Sequence, residues 1–266
     1  MGGARALEPG RRRLDRGALT AALARAGFLA AGDEADALLH RAAGDPALLD
    51  ALLHRRLGGE PLAWITGRVT FCDLEIRVDP GVYVPRPHTE QLARRAVARL
   101  PAAGIAVDVC TGSGAVAKTL AAHRPGARVL ATDIDARAVA CATGNGVEAH
   151  RGDLYAPLPE ELAGRVDVVV GVVPDVPTPD LPLLQRDTFT FETPLAYDGG
   201  PDGTALLRRA IAEGAPYLRR GGALLLELGG DQADALAGDL ARAGYTGVSV
   251  LTDEDGDVRG IEATRR

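Results

Sequence analysis

The stretch Val107-Asp-Val-Cys-Thr-Gly-Ser-Gly-Ala-Val-Ala117 decides the fold of the chain. Its apolar residues predict the end of a strand, Gly112 and Gly114 a tight turn, and Ala-Val-Ala the opening of a helix. Glycines permit the turn and let a ligand approach bare backbone, while the helix N-terminus behind them presents free N–H donors. Twenty-one residues past Gly112 stands Asp133, in Ala131-Thr-Asp-Ile-Asp135 at the end of the next strand. A carboxylate there can accept both hydroxyls of a ribose. Together these features predict a nucleoside-containing cofactor. The spacing Gly112-x-Gly114-x-x-Ala117 equally satisfies the dinucleotide fingerprint, but Asp108 places negative charge just before the turn, which suits an amino or sulfonium group better than a pyrophosphate. Arg151-Gly-Asp153-Leu154 adds an acid to which an adenine amine could donate. The set favours S-adenosylmethionine over NAD. The plainer alternative is that Asp108 caps the turn and Asp153 a helix.

Outward from this motif the pattern alternates. Strands are expected at Ile105–Val109, Arg128–Thr132, Val147–His150, Val166–Val170, Ala223–Leu228, Thr246–Leu251 and Val258–Thr264, with helices between most of them. Such alternation predicts an α/β fold: a doubly wound, seven-stranded Rossmann-like domain with a mostly parallel sheet and helices on both faces. Upstream, Leu19 and Leu23, then Leu38 and Leu39, then Leu49, Leu52, Leu53 and Leu57 mark three short helices. Asp45-Pro46 is a helix start and Gly58-Gly59 a stop. The run Val69–Val78 reads as a hairpin. The expected organisation is a small N-terminal helical domain (1–66), a hairpin linker (67–90) and a catalytic domain (91–266).

Composition narrows the function. The 266 residues carry 30 basic and 36 acidic side chains, a net charge of −6. An acidic chain lacks the basic stripe of a phosphate-clasping protein, so nucleic acid is not an expected partner. No window approaches the roughly 18 unbroken apolar residues of a membrane span, and no signal segment opens the chain, so no membrane partner is expected and the expected location is cytoplasmic. Cys72, Cys110 and Cys141 are too few for a disulfide framework, and no His/Asp cluster has metal-ligand spacing, so no metal is expected.

Six motifs, in order, resemble the HemK/PrmC methyltransferases: Gly59-Glu-Pro-Leu-Ala-Trp-Ile-Thr-Gly67, Val84-Pro-Arg-Pro-His-Thr-Glu90, Asp108-Val-Cys-Thr-Gly-Ser-Gly114, Gly152-Asp-Leu-Tyr155, Ala196-Tyr-Asp-Gly-Gly-Pro-Asp-Gly203 and Glu227-Leu-Gly-Gly-Asp-Gln232. That family methylates the side-chain amide nitrogen of a glutamine in peptide chain release factors, using S-adenosylmethionine. The resemblance spans nearly the whole chain. It implies that Thr111, Gly112, Ser113 and Gly114 hold the methionine part of the cofactor, Asp108 its ammonium, Asp133 the ribose, and Asp153 with Leu154 the adenine; Cys110 and Ile134 belong to the same expected lining.

The departure lies at the methyl acceptor. The family carries Asn-Pro-Pro-Tyr after the fourth strand, where the Asn side chain and a proline carbonyl accept hydrogen bonds from the amide. Here the aligned residues are Val172-Val173-Pro174-Asp175, and His88 replaces a Glu of the family's Pro-Arg-Pro-Glu-Thr-Glu run. Val172 cannot accept a hydrogen bond. A carboxylate at Asp175 could orient and deprotonate a cationic nitrogen by bidentate pairing, so the preferred reading is a changed acceptor, small and cationic, a guanidine such as arginine or an amine. Two alternatives stand beside it: amide methylation of a release factor with other groups replacing the clamp, and a non-catalytic cofactor-binding scaffold. Val172, Pro174 and Asp175 are the candidate acceptor-site residues. Arg86, His88 and Asp198 are candidate substrate-binding residues, although Arg86 could equally hold the hairpin to the sheet, and Asp198 and Asp202 could simply cap the helix beginning near Thr204.

Overall fold

The computed structural model describes residues 15–184 and 190–266. The chain divides into two compact units, Met1–Thr66 and Gly67–Arg266. In the first, α1 (Arg16–Arg25), α2 (Ala31–Ala42), α3 (Pro46–Leu57) and α4 (Leu62–Thr66) enclose a core of Leu19, Leu23, Leu38, Leu49, Leu52 and Ile65. Asp15 and Asp45 cap α1 and α3 by accepting from backbone N–H groups of the first turn, satisfying donors that have no intrahelical partner. Leu57, expected on the buried face of α3, is exposed. Its neighbour Arg56 is buried instead, paired to Glu34 at 2.6 Å and stacked over Phe28.

The second unit opens with β1 (Arg68–Phe71) and β2 (Leu74–Arg77), joined through Cys72 and Asp73, both at positive φ as a two-residue hairpin turn demands. This hairpin is fastened to the residues beyond it. Asn145 accepts from the Arg77 N–H and donates to its carbonyl, and Lys118 Nζ donates to the Glu75 carbonyl.

Then follow α5 (Thr89–Arg99), β3 (Ile105–Val109), α6 (Ala115–His123), β4 (Arg128–Asp133), α7 (Ala136–Gly144), β5 (Glu148–Arg151), β6 (Val166–Gly171), α8 (Ala205–Gly214), β7 (Leu218–Glu227), α9 (Gln232–Arg242), β8 (Tyr245–Thr252) and β9 (Val258–Arg265). The seven-stranded sheet has the order β5-β4-β3-β6-β7-β9-β8, parallel except for β9, which runs antiparallel to both neighbours. Helices α6 and α7 pack on β3, β4 and β5, while α8 packs on β7 and α9 on β8 and β9. Right-handed crossovers running in opposite directions from β3 put these two groups on opposite faces. The order reverses at β3, between β4 and β6, and such a switch point leaves a crevice at the carboxyl ends of the strands.

All seven expected strands are present. The largest difference is β7, which begins at Leu218 rather than Ala223. Exposed Arg219 and Arg220 interrupt its apolar run, and a register irregularity against β6 lets the chain take them in.

At the turn before α6, Gly114 lies at φ +81°, and a Cβ there would meet Ala142 at 2.9 Å and Val147 at 3.1 Å. Left-handed backbone and overpacking act together. Gly114→Ala is therefore expected to destabilise the protein by about 2 kcal/mol, measured by urea denaturation.

Candidate active site

The crevice at the switch point holds three connected cavities. The first, about 210 Å³, is lined by Val82 and Tyr83 from the segment before α5, Cys110 and Gly112 after β3, Asp133 and Ile134 after β4, Asp153 and Leu154 after β5, Val172 and Pro174 after β6, and Leu195 and Ala196. A smaller one, about 30 Å³, runs from there under the glycine turn past Asp108, Thr111, Ser113 and Phe71. The third, about 420 Å³, shares Tyr83, Val172 and Ala196 with the first and extends to Arg86, His88, Asp175, Tyr197, Glu227 and Arg259. Residues from five strand ends thus converge, and the third cavity draws on positions as distant in the chain as Tyr83 and Arg259.

Local geometry shapes the end of the crevice at the glycine turn. Cys110, Gly112, Gly114 and Leu154 all take positive φ, turning the backbone sharply at the strand ends. Asp133 ties two loops: its Oδ2 accepts from the Gly112 N–H at 2.9 Å and its Oδ1 from the Asp135 N–H at 2.9 Å. A carboxylate has about four lone-pair directions, so each oxygen keeps one for a further donor. Burial raises the Asp133 pKa above the usual carboxylate range. Asp108 is buried; its Oδ2 accepts from Thr111 Oγ1 at 2.6 Å and from the Ala117 N–H at 3.1 Å. Burial pushes its pKa up to about 7, against the opposing effect of those two bonds. Ser113 Oγ is buried with no hydrogen-bond partner among the described residues. Asp153 is half-exposed and paired to Arg209 at 3.0 Å.

At the other end, around Arg86 and Tyr197, a polar cluster closes the cavity. Glu192, 4% exposed, accepts from the Val84 N–H at 2.8 Å and pairs with Arg86 at 2.6 Å. Arg86 also donates to the Tyr197 hydroxyl at 2.8 Å, and Tyr197 and Glu192 are themselves hydrogen-bonded. Tyr83 lies under the Arg86 guanidinium and edge-on to Tyr197. Burial raises the Asp175 pKa to about 7, with the nearby Glu227 charge adding to it and His88 opposing. His88 Nε2 sits 3.3 Å from Glu227 Oε1.

Asp198, expected at the substrate, is engaged within its own loop. Its carboxylate accepts from Thr178 Oγ1 at 2.7 Å and the Gly200 N–H at 3.0 Å, and it lines none of the three cavities. Asp202 likewise holds the start of α8, accepting from the N–H and hydroxyl of Thr204. Arg86 is bonded to Glu192 and Tyr197, which belong neither to the hairpin nor to the sheet that it was weighed as joining. Tyr83, Glu192, Tyr197 and Glu227 are site residues that the sequence reading misses. Tyr197 and Glu227 lie within family motifs, and Tyr83 adjoins one, but Glu192 sits in a loop with no local signal for burial.

The sheet order, the glycine turn and acids at the ends of β3 and β4 define a Rossmann-like, S-adenosylmethionine-dependent methyltransferase. No protein-family model matches the chain. It is 41% identical over 212 residues to a release factor glutamine methyltransferase of Neisseria gonorrhoeae, covering 77% of this chain and 76% of the relative. It is 40% identical over 226 residues to the corresponding enzyme of Moorella thermoacetica, covering 80% and 78%. A solved methyltransferase from Pyrococcus furiosus, 18% identical, shares the fold with a TM-score of 0.54, covering 73% of this chain and 90% of that one. The chain belongs to the release factor glutamine methyltransferase family. Among the described residues no helix is long and apolar enough to cross a membrane, and no group of three or more His, Cys, Asp or Glu residues could hold a metal ion.

Proposed function

We propose that the protein methylates the side-chain amide nitrogen of a glutamine in a peptide chain release factor. The observation that carries this reading is identity of about 40% to enzymes named for that reaction, over most of both chains. The small guanidine or amine acceptor preferred from the sequence has no counterpart in those relatives. Burial and the nearby Glu227 raise the Asp175 pKa to about 7, so a cationic acceptor would have to offset that desolvation to pair with it.

S-adenosylmethionine supplies an electrophilic sulfonium methyl group. The residues present fit it. Asp108 and the unpartnered Ser113 hydroxyl lie at the small cavity, where a zwitterionic methionine end needs an acid and a donor. The spare lone pairs of Asp133 suit ribose hydroxyls, and Ile134 and Leu154 with Leu195 and Ala196 form apolar walls for an adenine. Asp153, held by Arg209, would accept from the adenine amine at the cavity rim. Tyr83, Val172 and Ala196 line both this pocket and the larger cavity, so an acceptor held in the larger cavity would lie next to the bound cofactor. Holding the nitrogen about 3 Å from that carbon supplies much of the rate.

The test is methyl transfer from labelled cofactor to purified release factor, free arginine and simple amines, read by mass spectrometry. The expected product carries one added methyl group on a release-factor glutamine. Label on arginine or an amine alone overturns the reading, and cofactor binding with no transfer to any acceptor would make the protein a scaffold.

A further inference from the structure

The unsolved point in this site is what replaces the acceptor missing at position 172. An amide nitrogen is a poor nucleophile, because its lone pair is delocalised into the carbonyl. Hydrogen bonds accepted from its N–H groups return electron density to it, and in a site shielded from water such preorganised groups act strongly. Val172 faces both the cofactor pocket and the larger cavity with an apolar side chain.

Most polar groups around that cavity are already engaged. Arg86 and Tyr197 bind Glu192, and the Asp175 carbonyl accepts from Gln232 Nε2 at 2.7 Å. Glu227 differs. It stands at the carboxyl end of β7 and lines the cavity. Its Oε1 faces His88 Nε2 at 3.3 Å, and its Oε2 is shut off from solvent with no hydrogen-bond partner among the described residues. An unsatisfied carboxylate oxygen is costly to bury, so the fold retains an acceptor that none of those residues uses. The charged and titratable groups facing it are His88 from the start of α5, Asp175 after β6, Arg259 from β9 and Tyr83.

We propose that the Glu227 carboxylate, oriented by His88, accepts the hydrogen bond from the substrate amide N–H in place of a side chain at position 172, and takes up the proton that the reaction releases. This rests on the amide-methylation reading above. The amide nitrogen forms a bond to the methyl carbon while the carbon–sulfur bond breaks, its electron pair remaining on the thioether sulfur of the leaving S-adenosylhomocysteine. The nitrogen then loses its proton to Glu227. Glu227 returns that proton to water once the product has left the open cavity. Glu227 is the catalytic residue here, and His88 is a positioning residue that fixes the orientation of its carboxylate.

The experiment compares the wild type, Glu227→Gln, His88→Gln, Val172→Asn and the double variant Val172→Asn/Glu227→Gln, with release factor as substrate. Cofactor affinity by calorimetry and melting temperature are measured in parallel. Glu227→Gln keeps the shape and loses the charge, and is expected to lower kcat about 100-fold, within the range for a general base. KM for the release factor and cofactor affinity should stay within about threefold. His88→Gln, on the exposed side of the pair, should lower kcat about tenfold while KM for the release factor stays within about threefold. Val172→Asn restores an acceptor at 172, so the double variant should recover at least about tenfold over Glu227→Gln. Glu227→Gln turning over within about threefold of wild type, or a double variant no better than Glu227→Gln, overturns the proposal while leaving the amide reading in place. A wild type that binds cofactor and labels no release-factor glutamine removes the amide reading itself, and that result is seen before any substitution is made.

Discussion

Asp108→Asn is expected to weaken S-adenosylmethionine binding about 100-fold at pH 8, while the apo protein becomes more stable at that pH. A charge-assisted hydrogen bond from the cofactor ammonium contributes roughly 1.5–3 kcal/mol, and about 2.7 kcal/mol is a factor of 100. In the apo protein the same carboxylate is buried and its pKa is raised to about 7 from 3.8. The sign follows directly. An acid whose folded pKa is raised favours the folded state fully below its unfolded value, and that advantage is lost as pH rises to the folded value. Wild-type unfolding free energy should therefore fall between about pH 4 and 7, with Asp175 adding in the same direction. Asparagine removes the Asp108 share of that fall, because its carbonyl can still accept from Thr111 and Ala117. Cofactor binding runs the opposite way. The ammonium needs the ionised form, so wild-type affinity should drop about tenfold per pH unit below pH 7 and level off above it, whereas the Asp108→Asn variant shows no such step. Calorimetry from about pH 5.5 to 8.5 checks this; a wild-type affinity flat across that range would place the ammonium elsewhere.

Glu192→Ala carries the second large effect, a loss of about 3 kcal/mol in stability, which for a domain of this size lowers the melting temperature by roughly 6–12 °C. Glu192 joins chain segments 106 residues apart when it pairs with Arg86. Truncation leaves the Arg86 guanidinium without its carboxylate and the Val84 N–H without its acceptor. Removing one partner of a buried pair is costly because the other stays desolvated; Arg86, with its side chain 30% exposed, recovers some water and keeps the loss at the lower end. The consequence reaches the site, since Thr193, Leu195 and Ala196, just beyond Glu192, line the cavity proposed for the cofactor. Cofactor KM should rise about tenfold. Glu192→Gln retains an acceptor for Val84 and should lose about half as much stability. Differential scanning calorimetry with cofactor titration measures both quantities.

Much of this protein was legible in its residues. Strands announced themselves through apolar runs, and the expected ends of β3 match the observed Ile105–Val109. The turn at Gly112 and Gly114 needs positive φ, and glycine supplies it at little steric cost. Asp108 and Asp133 sit at strand ends, so the topology alone carries them to one crevice. These signals are local: period, backbone freedom, and position within an element.

Other assignments turned on partners far away in sequence. Asp198 and Asp175 are both acids in glycine- and proline-rich loops, and nothing nearby distinguishes them. One folds back onto Thr178 and Gly200, and the other is buried against Glu227. Arg86 could have faced a substrate until Glu192 came beside it, and Glu227 read as the end of a strand until His88 approached. The residues alone carried the class of fold, the place of the glycine turn and the apolar side chain at position 172. Only the tertiary structure decided which charges are paired within the protein and which stand free for chemistry, because a charge's role depends on desolvation and on neighbours that chain folding brings from distant segments.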